Sequence, residues 1–99
     1  MSESQATRDV LAERVRQQSV EGWTPEHDDK HIRSELALAA SCYAVHAARR
    51  LDRDVLPARW PWRREWWKPK DARRDLVRAA ALIIAEIERL DRAMQEDSQ

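Results

Sequence analysis

Residues 71–94 read DARRDLVRAAALIIAEIERLDRAM, and this stretch decides the fold. Within it Leu76, Ala80, Ile83, Ile87, Leu90 and Met94 recur with steps of 4, 3, 4, 3 and 4. A helix returns a side chain to the same face every three or four residues, so this is the heptad seam of a coiled coil or bundle. Val77 and Ile84 widen the stripe, which suits a bundle core better than an isolated two-stranded coil. Asp71 stands where it can cap the first turn. The spacing predicts a third helix over 71–94 whose surface also serves self-association into a homo-oligomer.

Immediately upstream, Leu51 to Lys70 holds three of the four prolines and four of the five tryptophans. Pro57, Pro61 and Pro69 forbid a continuous helix but leave room for one turn between Arg63 and Trp67. A segment this apolar is not a disordered linker and has to dock on the rest of the chain.

Further upstream, Leu36, Ala39, Ala40, Tyr43 and Ala47 lie at helical spacing and predict a second helix over 31–50 with a small, apolar face. Thr24-Pro25 is a helix start, with Thr24 as N-cap and Pro25 in the first turn. Gly22 supplies the left-handed residue that ends a preceding helix. That first helix is expected over 7–19, capped by Thr7. Val10, Leu11 and Val15 would form its thin apolar stripe, and Arg8, Glu13, Arg14 and Arg16 its solvated face. Residues 1–6 and 96–99 are expected to fray. The chain reads as one all-α domain over 1–99, a small bundle of three main helices with the Trp/Pro-rich segment packed over it.

Composition narrows the function classes. One Gly, no Phe and abundant Ala, Arg, Glu and Leu favour helix over strand. Formal net charge is zero, so no global field draws the chain to nucleic acid, and nucleic acid is an unlikely partner. Charge is segregated, however: residues 57–78 carry eight Lys/Arg against three acids. The lone Cys42 cannot form an internal disulfide, which fits a reducing cytoplasm. Its neighbours Ser41 and Tyr43 form no nucleophile motif, so a small buried residue is the simpler reading. No apolar run reaches membrane-spanning length.

Three constellations could carry chemistry. The first interleaves Trp60, Trp62, Trp66 and Trp67 with Arg59, Arg63, Arg64, Lys68 and Lys70. Indoles stack on bases and guanidinium groups grip phosphate, although the same tryptophans could equally be core volume in a Phe-free bundle. The second is Trp23 to His31, where His27, His31 and Glu35 share one face if helical, a spacing that suits a transition metal or, more simply, polar capping. The third pairs Glu26 with Asp29 and Glu88 with Asp91, beside Glu86. It resembles the magnesium sites of all-α nucleoside triphosphate pyrophosphatases, although ordinary helix-surface ion pairs give the same pattern. No Gly-rich phosphate loop is present, so an anion would be held by side chains and helix ends.

Gly22-Trp23-Thr24-Pro25, then Asp28, Asp29, His31, Leu36 and Tyr43, resembles the ryanodine-receptor-type (RyR) repeat over Val10 to Tyr43. That family usually has Gly where Pro25 stands and Pro where Ile32 stands. The chain as a whole looks like a family of short phage and prophage proteins of unassigned function. Together the two resemblances imply an adenine-nucleotide ligand and a phage protein that sequesters a nucleotide immune signal, a cyclic oligonucleotide or an ADP-ribose derivative.

The expected activity is therefore binding without turnover, with no cofactor and no resident metal. Trp23, Trp60, Trp62, Trp66 and Trp67 supply stacking faces, and Arg63, Arg64, Lys68, Arg73 and Arg74 supply phosphate contacts. His27, Asp28, Asp29 and His31 would read ribose or base edges. The rivals are the magnesium-dependent pyrophosphatase and an inhibitor that docks on a host protein.

Overall fold

The computed structural model describes residues 3–49 and 55–97. Four α-helices follow in order: α1 (Gln5–Ser19), α2 (Pro25–Asp28), α3 (Glu35–Arg49) and α4 (Ala72–Asp97), with one 3-10 turn at Arg64–Trp66. There is no strand among the described residues, and the architecture is a small all-α bundle. α4 is the hub, packed by α3, α1 and the short α2. The expected helix end at Arg50 and the start of the Trp/Pro segment, residues 51–54, lie outside the described residues.

Local chemistry sets the boundaries. Ser4, not Thr7, caps α1, its Oγ accepting from the Thr7 backbone N–H, so residues 5 and 6 are helical rather than frayed. The chain leaves α1 through Gly22 at φ 77°, where a Cβ would be strained. Thr24 caps α2 and Pro25 opens it, and α2 stops after one turn. Two turns then reach Ser34, whose φ of 66° is left-handed, and α3 starts at Glu35 rather than at His31. Asp71 Oδ1 accepts from the Arg74 N–H and starts α4.

The core is built where the small face of α3 meets the Trp/Pro segment and α4. Leu36, Ala39, Ala40 and Tyr43 bury against Leu82, Ala79 and Ala85, and Trp60 and Trp67 close the cluster. Small alanines let the two helices approach, and the indoles supply the volume that phenylalanines would otherwise provide.

Two expectations about which face is buried are overturned. On α1 the apolar residues point outward, with Leu11 44% and Val15 60% exposed, whereas Glu13, Arg14 and Gln17 are buried. The reason is a buried charge network that outweighs a stripe of only three apolar residues. Glu13 is gripped by Arg16 and Arg74, and Arg14 bridges Asp28 at 2.9 Å and Glu88 at 3.2 Å. On α4 the heptad seam also faces outward. Leu76, Ile83, Ile87, Leu90 and Met94 are all about half or more exposed. The face that enters the bundle is instead Asp75, Arg78, Ala79, Leu82, Ala85 and Glu86, roughly opposite on the helix.

Each buried charge on that inner face has a partner. Asp75 has no exposure; its Oδ2 lies 2.9 Å from His46 Nδ1 and its Oδ1 accepts from the Lys70 N–H at 2.7 Å. Arg78 donates to the Lys68 carbonyl and lies over the Tyr43 ring. Glu86 is held by Arg89 at 2.6 Å.

Burial raises the pKa of Glu13, but Arg16, Arg74 and the Gln17 amide outweigh it and leave the carboxyl below its ordinary value of 4.5. Its contribution to stability is therefore complete above about pH 4.5 and fades as the pH falls through the lower folded value. Chemical denaturation at a series of pH values should show this loss for the native chain. Glu13→Gln should be less stable by about 1–2 kcal/mol at neutral pH and show a flatter acid limb. Ser34→Gly should gain about 0.5–1 kcal/mol, because it relieves the left-handed conformation at an exposed site. An unchanged midpoint in that variant would show the residue to be unstrained.

Candidate ligand-binding pocket

Two separate stretches of chain build one cleft. On one side the Trp23 N–H donates to the Gln17 carbonyl at 2.9 Å, which fixes the exit from α1 and presents the indole beside α2. α2 carries His27, whose ring stacks on Trp23 at 9° with centroids 6.2 Å apart. His31 follows on the next turn and meets His27 edge-on, the two Nε2 atoms 3.4 Å apart. The outer nitrogens are anchored by carboxylates: His31 Nδ1 lies 3.0 Å from Glu35, and His27 Nδ1 lies 3.3 Å from Asp28.

The other side is the Trp/Pro segment. Trp60 Nε1 donates to the Arg63 carbonyl at 3.0 Å, closing a tight loop before the 3-10 turn. The Tyr43 hydroxyl accepts from the Lys68 N–H at 3.2 Å and reaches the Trp66 carbonyl at 3.5 Å. Burial pushes the Tyr43 phenol up, so it stays protonated and keeps both roles. These anchors sort the four indoles. Trp60 and Trp67 turn inward and join the core, while Trp62 and Trp66 turn toward Trp23, with centroid separations of 5.6 and 6.3 Å.

The resulting open cleft has a volume of about 680 Å³. Its walls are Trp23, Trp62, Trp66 and Pro61, with His27 and His31 along one edge and Glu21 and Arg63 among its lining. Volume and apolar character both suit a small organic ligand. The Arg63 guanidinium has no hydrogen-bond or ion-pair partner among the described residues, whereas Glu21 is tied to Arg16 at 3.0 Å. The Trp62 indole N–H is buried and has no acceptor among the described residues.

Of the residues expected to form a site, the fold brings six together here: Trp23, His27, His31, Trp62, Arg63 and Trp66. The others are placed elsewhere. Trp60 and Trp67 are each 8% exposed and belong to the core. Asp28 is fully buried on Arg14, and Asp29 pairs with Arg92 at 2.7 Å. Arg73 pairs with Asp9 and Arg74 with Glu13, both holding α1 on α4. Lys68 sits over the Trp66 ring at 5.5 Å, on the rim, and Arg64 is exposed outside the lining. Glu21 and Pro61 line the cleft without having been expected; the Pro between two tryptophans was the available signal for the second.

The carboxylate and histidine sets divide differently from their spacing. Glu35 approaches His31 from the nitrogen opposite His27, so the three do not converge on one point. Among the described residues no group of three or more His, Cys, Asp or Glu forms a metal-binding cluster. Glu88 and Glu86 are engaged by Arg14 and Arg89. Cys42 is buried and burial pushes its thiol up, which makes it a poor nucleophile. A second cavity, of about 620 Å³, runs between α3 and Val55–Arg59, beside the undescribed residues.

Compared with protein families, curated proteins and solved structures, the chain matches none. No helix among the described residues is long and apolar enough to cross a membrane.

If the Tyr43 hydroxyl holds the cleft wall, Tyr43→Phe should cost about 1 kcal/mol in stability while keeping the helices. Tryptophan emission should shift to the red as the segment loosens. A spectrum and midpoint identical to the native chain would place the anchor elsewhere.

Proposed function

We propose that this protein binds a nucleotide-type ligand, an aromatic ring carrying an anionic group, without turning it over. The observation that carries the proposal is the convergence on one open cleft of three indoles, two imidazoles and the Arg63 guanidinium, which has no partner among the described residues. Indole faces stack on any base, and an arginine without an internal partner is available to a phosphate in bidentate fashion. His27 and His31, held by their outer nitrogens, offer polar edges for a base or ribose.

The engagement of three carboxylates supports binding without chemistry. Of the acids that a magnesium-dependent pyrophosphatase would use, Asp29 is held by Arg92, Glu86 by Arg89 and Glu88 by Arg14. The resemblance to ryanodine-receptor-type repeats and to small phage proteins extends the proposal to sequestration of a nucleotide immune signal in the host cytoplasm.

Native mass spectrometry and calorimetry with ATP, ADP-ribose and cyclic oligoadenylates test this reading. A retained, chemically unchanged nucleotide is expected. Arg63→Ala and Trp66→Ala should each weaken it at least about tenfold, with circular dichroism unchanged. Both sites are exposed, so neither substitution should disturb the fold. Hydrolysed product, or native affinity in both variants, would overturn the proposal.

A further inference from the structure

The outward heptad of α4 is an apolar feature that, from Leu76 to Leu90, no other helix among the described residues covers. Leu76, Ile83, Ile87, Leu90 and Met94 are 51, 48, 52, 47 and 67% exposed, and Ala80 completes the row. The stripe runs about 27 Å along the helix. None of its residues lines the nucleotide cleft. The opposite face of α4 is already filled by α1, α2 and α3, so nothing within the described residues competes for the stripe.

We infer that α4 pairs antiparallel with α4 of a second copy of this chain, forming a homodimer along this stripe. The pattern is complementary to itself. In an antiparallel pair centred between Ile83 and Ile87, Ile83 meets the partner's Ile87, Ala80 meets the partner's Leu90, and Leu76 meets the partner's Met94. Every layer then joins two apolar residues, and the smallest faces a leucine. One operation satisfies the whole row because a two-fold interface uses the same patch twice.

Charge selects this direction over the parallel one. In a parallel pair the exposed Asp91 side chains of the two chains stand level with each other beside the stripe. The acidic C-terminal ends of the helices, with Asp91 and Glu96, would also lie together. Reversing one helix separates the two Asp91 side chains and brings the half-buried Ile84 toward its own symmetry mate. It also carries each acidic end toward Arg73 and Arg74 of the other chain and opposes the two helix dipoles.

The overall shape accommodates a flat mate. The radius of gyration is 14.0 Å, above the roughly 13 Å of a compact domain of this length, and the extents are 46 × 38 × 22 Å. The chain is a slab about two helices thick, and pairing along α4 gives it the thickness of an ordinary globule.

Light scattering on the purified chain at micromolar concentration should give twice the 11.6 kDa of one copy. Ile83→Glu combined with Ile87→Glu should return a monomer with unchanged helical content, since both positions face outward. In a Cys42→Ser background, Leu76→Cys with Met94→Cys should form an intermolecular disulfide under mild oxidation. Leu76→Cys alone should not, because its two copies would stand about 27 Å apart. A monomer at all concentrations overturns the inference, as does a dimer that survives both glutamates. Crosslinking through Leu76→Cys alone would establish a parallel pair and overturn the direction. Should the double glutamate variant fail to fold, the cysteine pair still decides. Nucleotide binding is read separately, so loss of either result leaves the other standing.

Discussion

Asp75 is the constraint on which the arrangement depends. It enters the interior without any exposure and is satisfied only when His46 of α3 and the Lys70 N–H reach it together. An unpaired buried carboxylate costs several kcal/mol, so α3 and the end of the Trp/Pro segment cannot slide independently along α4. That fixes Tyr43 relative to Lys68, and Tyr43 in turn fixes Trp66 and Trp67. The cleft is therefore positioned, through three hydrogen-bonded steps, by a single buried carboxyl group one turn into α4.

Buried charge plays the same part for α1. Glu13, Arg14 and Asp28 lie inside the molecule, and their partners on α4 are Arg74 and Glu88. Pairs of this kind are a weak source of net stability, because desolvation offsets much of the attraction. They are strict about geometry, however, since a slip of one turn strands several charges at once. The Trp23 corner, and with it one side of the cleft, inherits that strictness.

Some of this was legible in the sequence and some could not be. Short-range signals translate directly: Thr24-Pro25 starts α2, Gly22 takes a positive φ, Asp71 caps α4, and the Leu36–Ala47 row of α3 is buried. These depend on neighbours within four residues, so the sequence contains both partners. Periodicity also located an apolar face on α4, but a period says that a face exists and is silent about what covers it. The face was assigned to the interior, where Asp75, Arg78 and Glu86 are found instead. The α1 network was invisible for a related reason. Arg14–Glu88 and Glu13–Arg74 span more than sixty residues, and before folding each of these side chains looks like an ordinary surface charge. Within the Trp/Pro segment, composition announced an aromatic cluster, yet only the Trp60 and Tyr43 hydrogen bonds decide which indoles turn inward.

That sorting restricts how the cleft could acquire a new specificity. In the eight residues from Trp60 to Trp67, the wall residues Pro61, Trp62, Arg63 and Trp66 lie between two core indoles, so the segment has little room for drift. A change at Trp62 or Trp66 abuts a residue whose loss would empty the core. His27 and His31, by contrast, come from the α1–α2 side and are not part of the core cluster, and Arg63 bears on it through its backbone alone. Divergence among descendants of this chain should therefore concentrate on that side of the cleft and on the Arg63 side chain, while the tryptophan wall stays as an inherited template.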